Sequence, residues 1–251
     1  LEASMQQYFV KGLASSPVTI EDKEISKHMF QVMRLKEDDE VTLVFDDGIK
    51  RLARVVNVES RQLELVEELA DNVELPVQVT IASGFPKGDK LEFITQKVTE
   101  LGASQIWAFP ADWSVAKWDG KKLGKKVEKL EKIALGAAEQ SKRNLVPSIT
   151  LFEKKADFLD QFDQFDRIVV AYEESAKEGE VAALIQSLTG LEAGCKLLFI
   201  FGPEGGLSPA EIESFTAKGA VLAGLGPRIL RAETAPLYAL SAVSVVTELI
   251  N

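Results

Sequence analysis

The run Leu225-Gly226-Pro227-Arg228-Ile229-Leu230-Arg231-Ala232-Glu233-Thr234-Ala235 concentrates two guanidinium groups, a carboxylate and a hydroxyl between a short apolar segment and an apolar helix. An ordinary connection at such a place needs only a helix cap. A second loop, Phe201-Gly202-Pro203-Glu204-Gly205-Gly206, follows the apolar run 196–201. A short unbroken apolar run bounded by turn residues is the pattern of a parallel strand buried on both faces. Ligands of open α/β sheets bind outside the carboxyl ends of strands, and glycine there lets main-chain N–H and C=O groups come close to a ligand. The chemistry on offer is a ligand held by backbone, beside guanidinium groups that stay protonated and present fixed donors to developing negative charge. Taken alone, the Gly-Pro-Glu-Gly-Gly turn is also what any strand-to-helix connection looks like. The pairing of the two loops is what points to a pocket. A further acid and base, Glu139 and Arg143, lie four apart in a helical pattern and so would share a face; by itself that spacing equally describes a surface ion pair of little worth.

Strands and helices alternate from Pro76 onward and would position these loops. The patterns predict strands at 77–83, 105–109, 167–172, 196–201 and 220–225, and helices at 87–102, 123–142, 180–188, 209–218 and 236–249. Leu91, Ile94, Val98 and Leu101 fall on one face of the first of these helices. Such alternation implies an α/β fold, a parallel sheet with helices on both faces. The last helix is apolar or small almost all round from Ala235 to Val246, with Thr234 as its expected cap and Pro236 in its first turn. A helix of that kind is buried on more than one side. Residues 5–70 instead carry short alternating runs at 41–45, 52–56 and 63–66, joined by turns such as Asp46-Asp47-Gly48, the pattern of a small antiparallel barrel. A short helix over 25–35 leads into it, and the linker falls near 71–75.

A formal charge of −10 over 251 residues argues against indiscriminate binding to nucleic acid, where phosphate attraction dominates. The distribution is uneven, however. Seven lysines face three acids between Lys117 and Lys132, Lys142-Arg143 follow, and acids gather at 37–40 and 157–166. That asymmetry suits docking of one face on a defined RNA surface; a solvated lysine face of a helix has the same composition. The single Cys195 forbids an internal disulfide and reads as a core filler, and the only histidine, His28, has no companion ligands. Metal-dependent chemistry and a Ser-His-Asp arrangement both lack their parts. No apolar run is long enough for a membrane span. The opening Leu1-Glu2-Ala3-Ser4 precedes Met5 without the basic start and apolar core of a signal peptide, and reads as a cloning remnant on a cytoplasmic protein.

The stretches Gln96-Lys97-Val98-Thr99-Glu100-Leu101-Gly102-Ala103 and Ala138-Glu139-Gln140-Ser141-Lys142-Arg143, in order with the two loops above, resemble the SPOUT-class RNA methyltransferases, specifically the RsmE type that acts on 16S ribosomal RNA uridine N3. With the N-terminal segment the resemblance covers nearly the whole chain; Ala232, where Thr or Val is expected, departs from it without touching the proposed chemistry. The resemblance implies a SPOUT-type trefoil-knotted parallel sheet over 73–251, preceded by a PUA-like, OB-like RNA-binding barrel over 5–72. Pattern alone would never propose a knot, because knots are nearly absent from folds. It also implies a homodimer in which the last helix meets its partner, and S-adenosyl-L-methionine as cofactor.

By that resemblance the cofactor is assigned to Gly202, Glu204, Gly205, Leu225, Gly226, Ile229, Leu230, Arg231 and Ala235, with Tyr172 and Glu173 at the end of a third strand. Tight turns alone would also require the glycines, and core packing would equally account for Ile229 and Leu230. The RNA contacts implied are Lys27, His28 and Arg34 in the barrel part and Lys122, Lys126 and Arg143 beyond it; simple surface placement explains the same residues. Uracil N3 becomes nucleophilic only as its proton leaves and charge spreads to the flanking carbonyl oxygens, so the site needs a charge stabiliser. Arg231 and Arg143 are the candidates, and Glu233 or Glu139 could accept the proton, a choice the residues leave open. Two other readings remain: a SPOUT enzyme acting at another RNA position, and a non-catalytic ribosome-assembly factor that only binds RNA. A dinucleotide-dependent oxidoreductase is disfavoured, since no Gly-x-Gly-x-x-Gly follows the first strand of the α/β region.

Overall fold

A computed structural model describes residues 5–173 and 182–250 of the chain. The Leu1-Glu2-Ala3-Ser4 start, Glu174, and the first two residues of the helix expected over 180–188 lie outside them. The chain forms two compact units, Leu1–Glu74 with Ala138–Leu145, and Leu75–Ala137 with Val146–Asn251.

The first unit contains β1 (Gln7–Phe9), β2 (Val18–Thr19), β3 (Glu40–Val44), β4 (Lys50–Asn57) and β5 (Gln62–Leu69) in the order β1-β3-β4-β5-β2. The sheet is mixed rather than wholly antiparallel: β3, β4 and β5 form an antiparallel meander, whereas β1 pairs in parallel with β3. The long segment between β1 and β3 makes this possible, because parallel neighbours need a crossover rather than a hairpin. Alternate residues Val41, Leu43, Ala53, Val55 and Leu63 join Tyr8, Ile20 and Met29 in one core. Helix α1 (Lys23–Lys27) starts at Asp22, whose Oδ1 accepts from the N–H groups of Glu24 at 2.8 Å and Ile25 at 3.0 Å. It runs into a single π turn, His28–Val32, and the chain then leaves helical geometry at Arg34, where φ is 54°.

The second unit is built on β6 (Gln78–Gly84), β7 (Gln105–Phe109), β8 (Ser148–Leu151), β9 (Arg167–Ala171), β10 (Lys196–Phe201) and β11 (Val221–Ala223). They form one parallel sheet in the order β11-β9-β10-β6-β7-β8. Its helices are α2 (Lys90–Glu100), α3 (Gly120–Gln140), α4 (Lys155–Leu159), α5 (Ala182–Leu188), α6 (Pro209–Ala217) and α7 (Ala235–Ser244). The apolar strand runs resolve into two faces. Val79, Ile81, Ile106, Ala108, Leu197, Phe199 and Phe201 share a core with side chains of α2, α3, α5 and α7. Ala82, Trp107, Phe109, Leu198 and Ile200 share a second one with Phe158 of α4 and Phe215 of α6. Both faces are therefore covered, which is why these strands read as unbroken apolar runs. Cys195 packs against the first of these cores. The short β8 and α4 were not expected from the sequence; four residues of alternation, Ser148-Ile149-Thr150-Leu151, are too few to separate an edge strand from a loop.

The start of α7 differs from expectation. Thr234 makes no side-chain capping bond, and its own backbone is already helical, at φ −87° and ψ −38°. The preceding turn does the work, with Arg231 O accepting from the N–H groups of Thr234 at 2.9 Å and Ala235 at 3.1 Å. Helix α6, by contrast, carries a complete capping box: Ser208 and Glu211 each bond the other's backbone N–H, and Pro209 occupies the first turn.

Candidate active site

Because the sheet is parallel, β11, β9, β10 and β6 all deliver their carboxyl ends to one edge. The loop after β10 sits directly on the end of β6: a Cβ at Gly84 would come within 2.6 Å of Pro203 Cδ and 2.9 Å of Ala111 Cβ. A Cβ at Gly202 would lie 2.9 Å from the carbonyl carbon of Gly206, and one at Gly205 would lie 3.1 Å from Trp113 Cβ and O. The turn is closed by Gly206 N–H donating to Pro203 O at 2.9 Å. In the loop after β11, Gly226 stands at φ 85°. Close packing thus leaves no room for a Cβ at 84 and 202 and little at 205, and backbone conformation favours glycine at 226.

The charges converge on Lys90, in the first turn of α2. Its Nζ lies 3.0 Å from Glu204 Oε1 and 3.6 Å from Glu233 Oε2, so one ammonium faces a carboxylate from each loop. Glu204 Oε1 also accepts from Lys87 N–H at 2.9 Å. Burial opposes ionisation of Glu204, but the Lys87 N–H, its own backbone and the Lys90 ammonium outweigh it and hold the carboxyl below the usual range. Hydrogen bonding to Glu204 in turn raises the Lys90 ammonium above its ordinary value. Among the described residues Glu233 Oε2 is buried without a hydrogen-bond partner, 3.6 Å being an ion-pair distance and not a hydrogen bond. Beside this cluster opens a cleft of about 550 Å³ lined by Lys90, Phe93, Gln96, Ile133 and Glu233, among others.

A second charge network braces the loop from behind. Lys155 Nζ pairs with Asp112 and, at 2.9 Å, with the buried Glu211 Oε2, while Ser208 Oγ donates to Asp112 and Asp112 N–H donates to Glu211 at 3.1 Å. Asp112 precedes Trp113, the residue against which Gly205 rests.

Of the other cofactor candidates, Tyr172 donates its N–H to Ala223 O at 3.0 Å and is half-buried, while Glu173 is exposed. Leu225, Leu230 and Ala235 are half-buried, and Arg231 stands exposed in the loop that carries Glu233. Ile229 is 81 % exposed, which excludes core packing as the reason for its presence.

Arg143 and Glu139 do not share a helix face. Helix α3 ends at Gln140, the chain turns through Lys142 at φ 59°, and Arg143 N–H donates to Ala138 O at 2.9 Å. The left-handed residue breaks the four-residue spacing. The Arg143 guanidinium is buried and ion-paired with Glu74, Nε to Oε2 at 3.0 Å and Nη2 to Oε1. Both residues belong to the first unit, whereas Arg231 and Glu233 belong to the second. Burial pushes the Glu139 carboxyl up to about 7 against the opposing pull of Lys142, and burial together with Glu139 pushes the Tyr8 hydroxyl up to about 12. His28, a candidate RNA contact, has its Nδ1 within 2.8 Å of Tyr8 Oη. Lys27, Arg34 and Lys122 are exposed, and Lys126 lies 4.1 Å over the Trp118 ring. Lys87 and Lys90 are the site residues that sequence reasoning missed. Their signal was the Lys87-Gly88-Asp89-Lys90 turn at the carboxyl end of the first predicted strand of the sheet. Among the described residues no acidic, histidine or cysteine group is placed to hold a metal, and no helix is long and apolar enough to cross a membrane.

The RNA methyltransferase domain family matches residues 73–244, and the RNA methyltransferase PUA domain family matches residues 20–68. The chain is 46% identical to the ribosomal RNA small subunit methyltransferase E of Bacillus subtilis, over 98% of this chain and 99% of that protein. To its namesake in Mycobacterium tuberculosis it is 30% identical, over 92% of this chain and 87% of that one. The fold matches a ribosomal RNA small subunit methyltransferase E from Neisseria gonorrhoeae bound to S-adenosyl methionine with a TM-score of 0.81 at 26% identity, covering 96% of this chain and 98% of that one. It also matches the crystal structure of a hypothetical protein with a TM-score of 0.90 at 43% identity, covering 98% of this chain and 100% of that one.

Proposed function

Since the chain belongs to the ribosomal RNA small subunit methyltransferase E family of RNA methyltransferases, we propose that it transfers a methyl group from S-adenosyl-L-methionine to N3 of a uridine in 16S, small-subunit ribosomal RNA. The observation that carries this reading is the convergence of the loops after β6, β10 and β11 on Lys90, Glu204 and Glu233. Two carboxylates against one ammonium leave a negative balance, which attracts a sulfonium cation. The close-packed backbone at Gly202, Gly205 and Gly226 offers N–H and C=O groups to an adenine edge, as the fit requires. In this reading Leu225, Leu230 and the exposed Ile229 supply apolar cover, Ala235 leaves room at the start of α7, and Tyr172 and Glu173, which follow β9, complete the set.

The cofactor, when bound, contributes an activated methyl group on sulfur. The protein's part is to hold N3, the methyl carbon and sulfur in line, which supplies much of the acceleration of a direct displacement. Arg231, already in the loop and free of a buried ion pair, holds the carbonyl oxygen on which charge accumulates. Arg143 would have to leave Glu74 to serve the same end or to contact RNA, so it is the weaker candidate. Lys27, His28 and Arg34 of the first unit, with Lys122 and Lys126 of α3, fit contact with the RNA surface. A homodimer that covers the open side of α7, where Tyr238 is 39 % exposed, belongs to the same reading. So do a trefoil-knotted path leading into α7, a domain boundary near 72–73 and a cytoplasmic location.

Nucleoside mass spectrometry of unmodified small ribosomal subunits, after incubation with the protein and S-adenosylmethionine, tests this directly. N3-methyluridine is the expected product. A different methylated nucleoside would remove the target atom while keeping the cofactor, and the absence of both product and cofactor binding would leave an RNA-binding assembly factor.

A further inference from the structure

We propose that the cleft beside Lys90 receives the target uracil, with Phe93 as its stacking platform and Glu233 as the acceptor of its N3 proton. This rests on the methyl-transfer reading above and deepens it. Helix α2 buries Leu91, Ile94 and Val98, yet leaves Phe93 44 % exposed on the cleft wall. Ile133 of α3 adds an apolar surface. The volume, about 550 Å³, falls within the roughly 300–1,000 Å³ of small-ligand sites. The lining sets three carboxylates, Asp89, Glu92 and Glu233, against the single ammonium of Lys90. That balance repels a phosphate and suits a neutral base.

The polar groups match uracil in kind. Glu233 Oε2 is buried and, among the described residues, has the Lys90 ammonium at an ion-pair distance of 3.6 Å but no hydrogen bond, and N3–H is a donor. Lys90 and the Gln96 amide supply donors for the carbonyl oxygens on either side of N3. In the reaction Glu233 Oε2 takes the N3 proton, leaving its bonding pair on nitrogen. That pair forms the bond to the methyl carbon while the carbon–sulfur pair departs with sulfur. Lys90 shares the transient charge with Arg231, the one reaching from α2 and the other from the loop that carries Glu233. A base reached in this way must leave its stack, and α3 offers the backbone a track. Lys121, Lys125, Lys129 and Lys132 recur along one side of that helix, and Lys129 Nζ pairs at 2.8 Å with Glu92 on the cleft rim.

The experiment is steady-state kinetics on unmodified subunits, with S-adenosylmethionine affinity measured separately by calorimetry. Stacking on an aromatic side chain is worth about 1–3 kcal/mol per base. Phe93→Ala should therefore raise the KM for subunits about tenfold, with the cofactor Kd unchanged, and Phe93→Trp should restore it. Glu233→Gln should lower kcat about a hundredfold or more. It should regain activity selectively on subunits carrying 5-fluorouridine, whose N3–H is more acidic. Equal impairment of Glu233→Gln on both substrates would overturn its role as proton acceptor. Unchanged subunit kinetics for Phe93→Ala, or its conversion of a dimer to a monomer in sedimentation, would take the base out of the cleft. If the wild-type protein binds no S-adenosylmethionine, or methylates some other atom, the methyl-transfer reading fails and the assignment of the cleft to uracil falls with it.

Discussion

Arg231 stands in solvent on a loop, whereas Arg143 is buried against Glu74, and this difference decides what each substitution reports. Arg231→Ala removes a charge stabiliser without opening a core: kcat should fall by about 10²–10³-fold while the unfolding free energy moves by less than about 0.5 kcal/mol. Retained methylation by a folded mutant would end that assignment. Arg143→Ala instead strands the mostly buried Glu74 carboxylate and should cost about 3 kcal/mol of stability, so its activity is informative only beside a measured Tm. Glu139 carries a pH signature. Burial raises its carboxyl from 4.5 to about 7, so the folded chain binds that proton more tightly than the unfolded one. The resulting stabilisation is complete below pH 4.5 and is lost as pH rises through about 7. Glu139→Gln mimics the protonated form. Its Tm should exceed that of the wild type at pH 8 and converge with it near the acid end of that window; parallel curves would show that Glu139 does not titrate there.

Among the elements, the loop after β10 depends on contacts that no side chain announces. Gly84→Ala places a Cβ within 2.6 Å of Pro203 Cδ, so β6 and the 202–206 turn must separate. Overpacking of this kind costs about 1–3 kcal/mol. The variant should show both a lower Tm and weaker S-adenosylmethionine binding; a lower Tm with unchanged affinity would mean that the turn does not hold the cofactor. How much of these elements could be read beforehand follows from their physics. Strands β7 and β10 match their predicted limits because both faces are buried and turn residues bound them. Ser208-Pro209-Ala210-Glu211 announces the start of α6, since a capping box is local chemistry. Helix α3 stops at Gln140, two residues short of its expected limit, because Lys142 turns left-handed within the first unit although the sequence continues with helix formers. Tertiary context overrode propensity there.

For the molecule as a whole, the two units make a calorimetric prediction: S-adenosylmethionine at a hundredfold its Kd should stabilise the unit it binds by about 2.7 kcal/mol. Under the proposed function this is the unit built on the parallel sheet, and a transition that moves only in the presence of RNA would contradict it. The alternation of strand and helix, the two buried faces of the sheet and the two loops at Gly202–Gly206 and Leu225–Ala235 are legible from the chain alone, because apolar periodicity and turn chemistry are written in neighbouring residues. The parallel pairing of β1 with β3, the membership of Ala138–Leu145 in the first unit and the bridge from Lys90 to Glu204 and Glu233 arise only once the chain is packed. Lys90 and Glu233 are far apart in the chain, and no local pattern encodes their meeting. It follows from the parallel order that brings the ends of β6, β10 and β11 to one edge, and strand order is a property of the packed sheet.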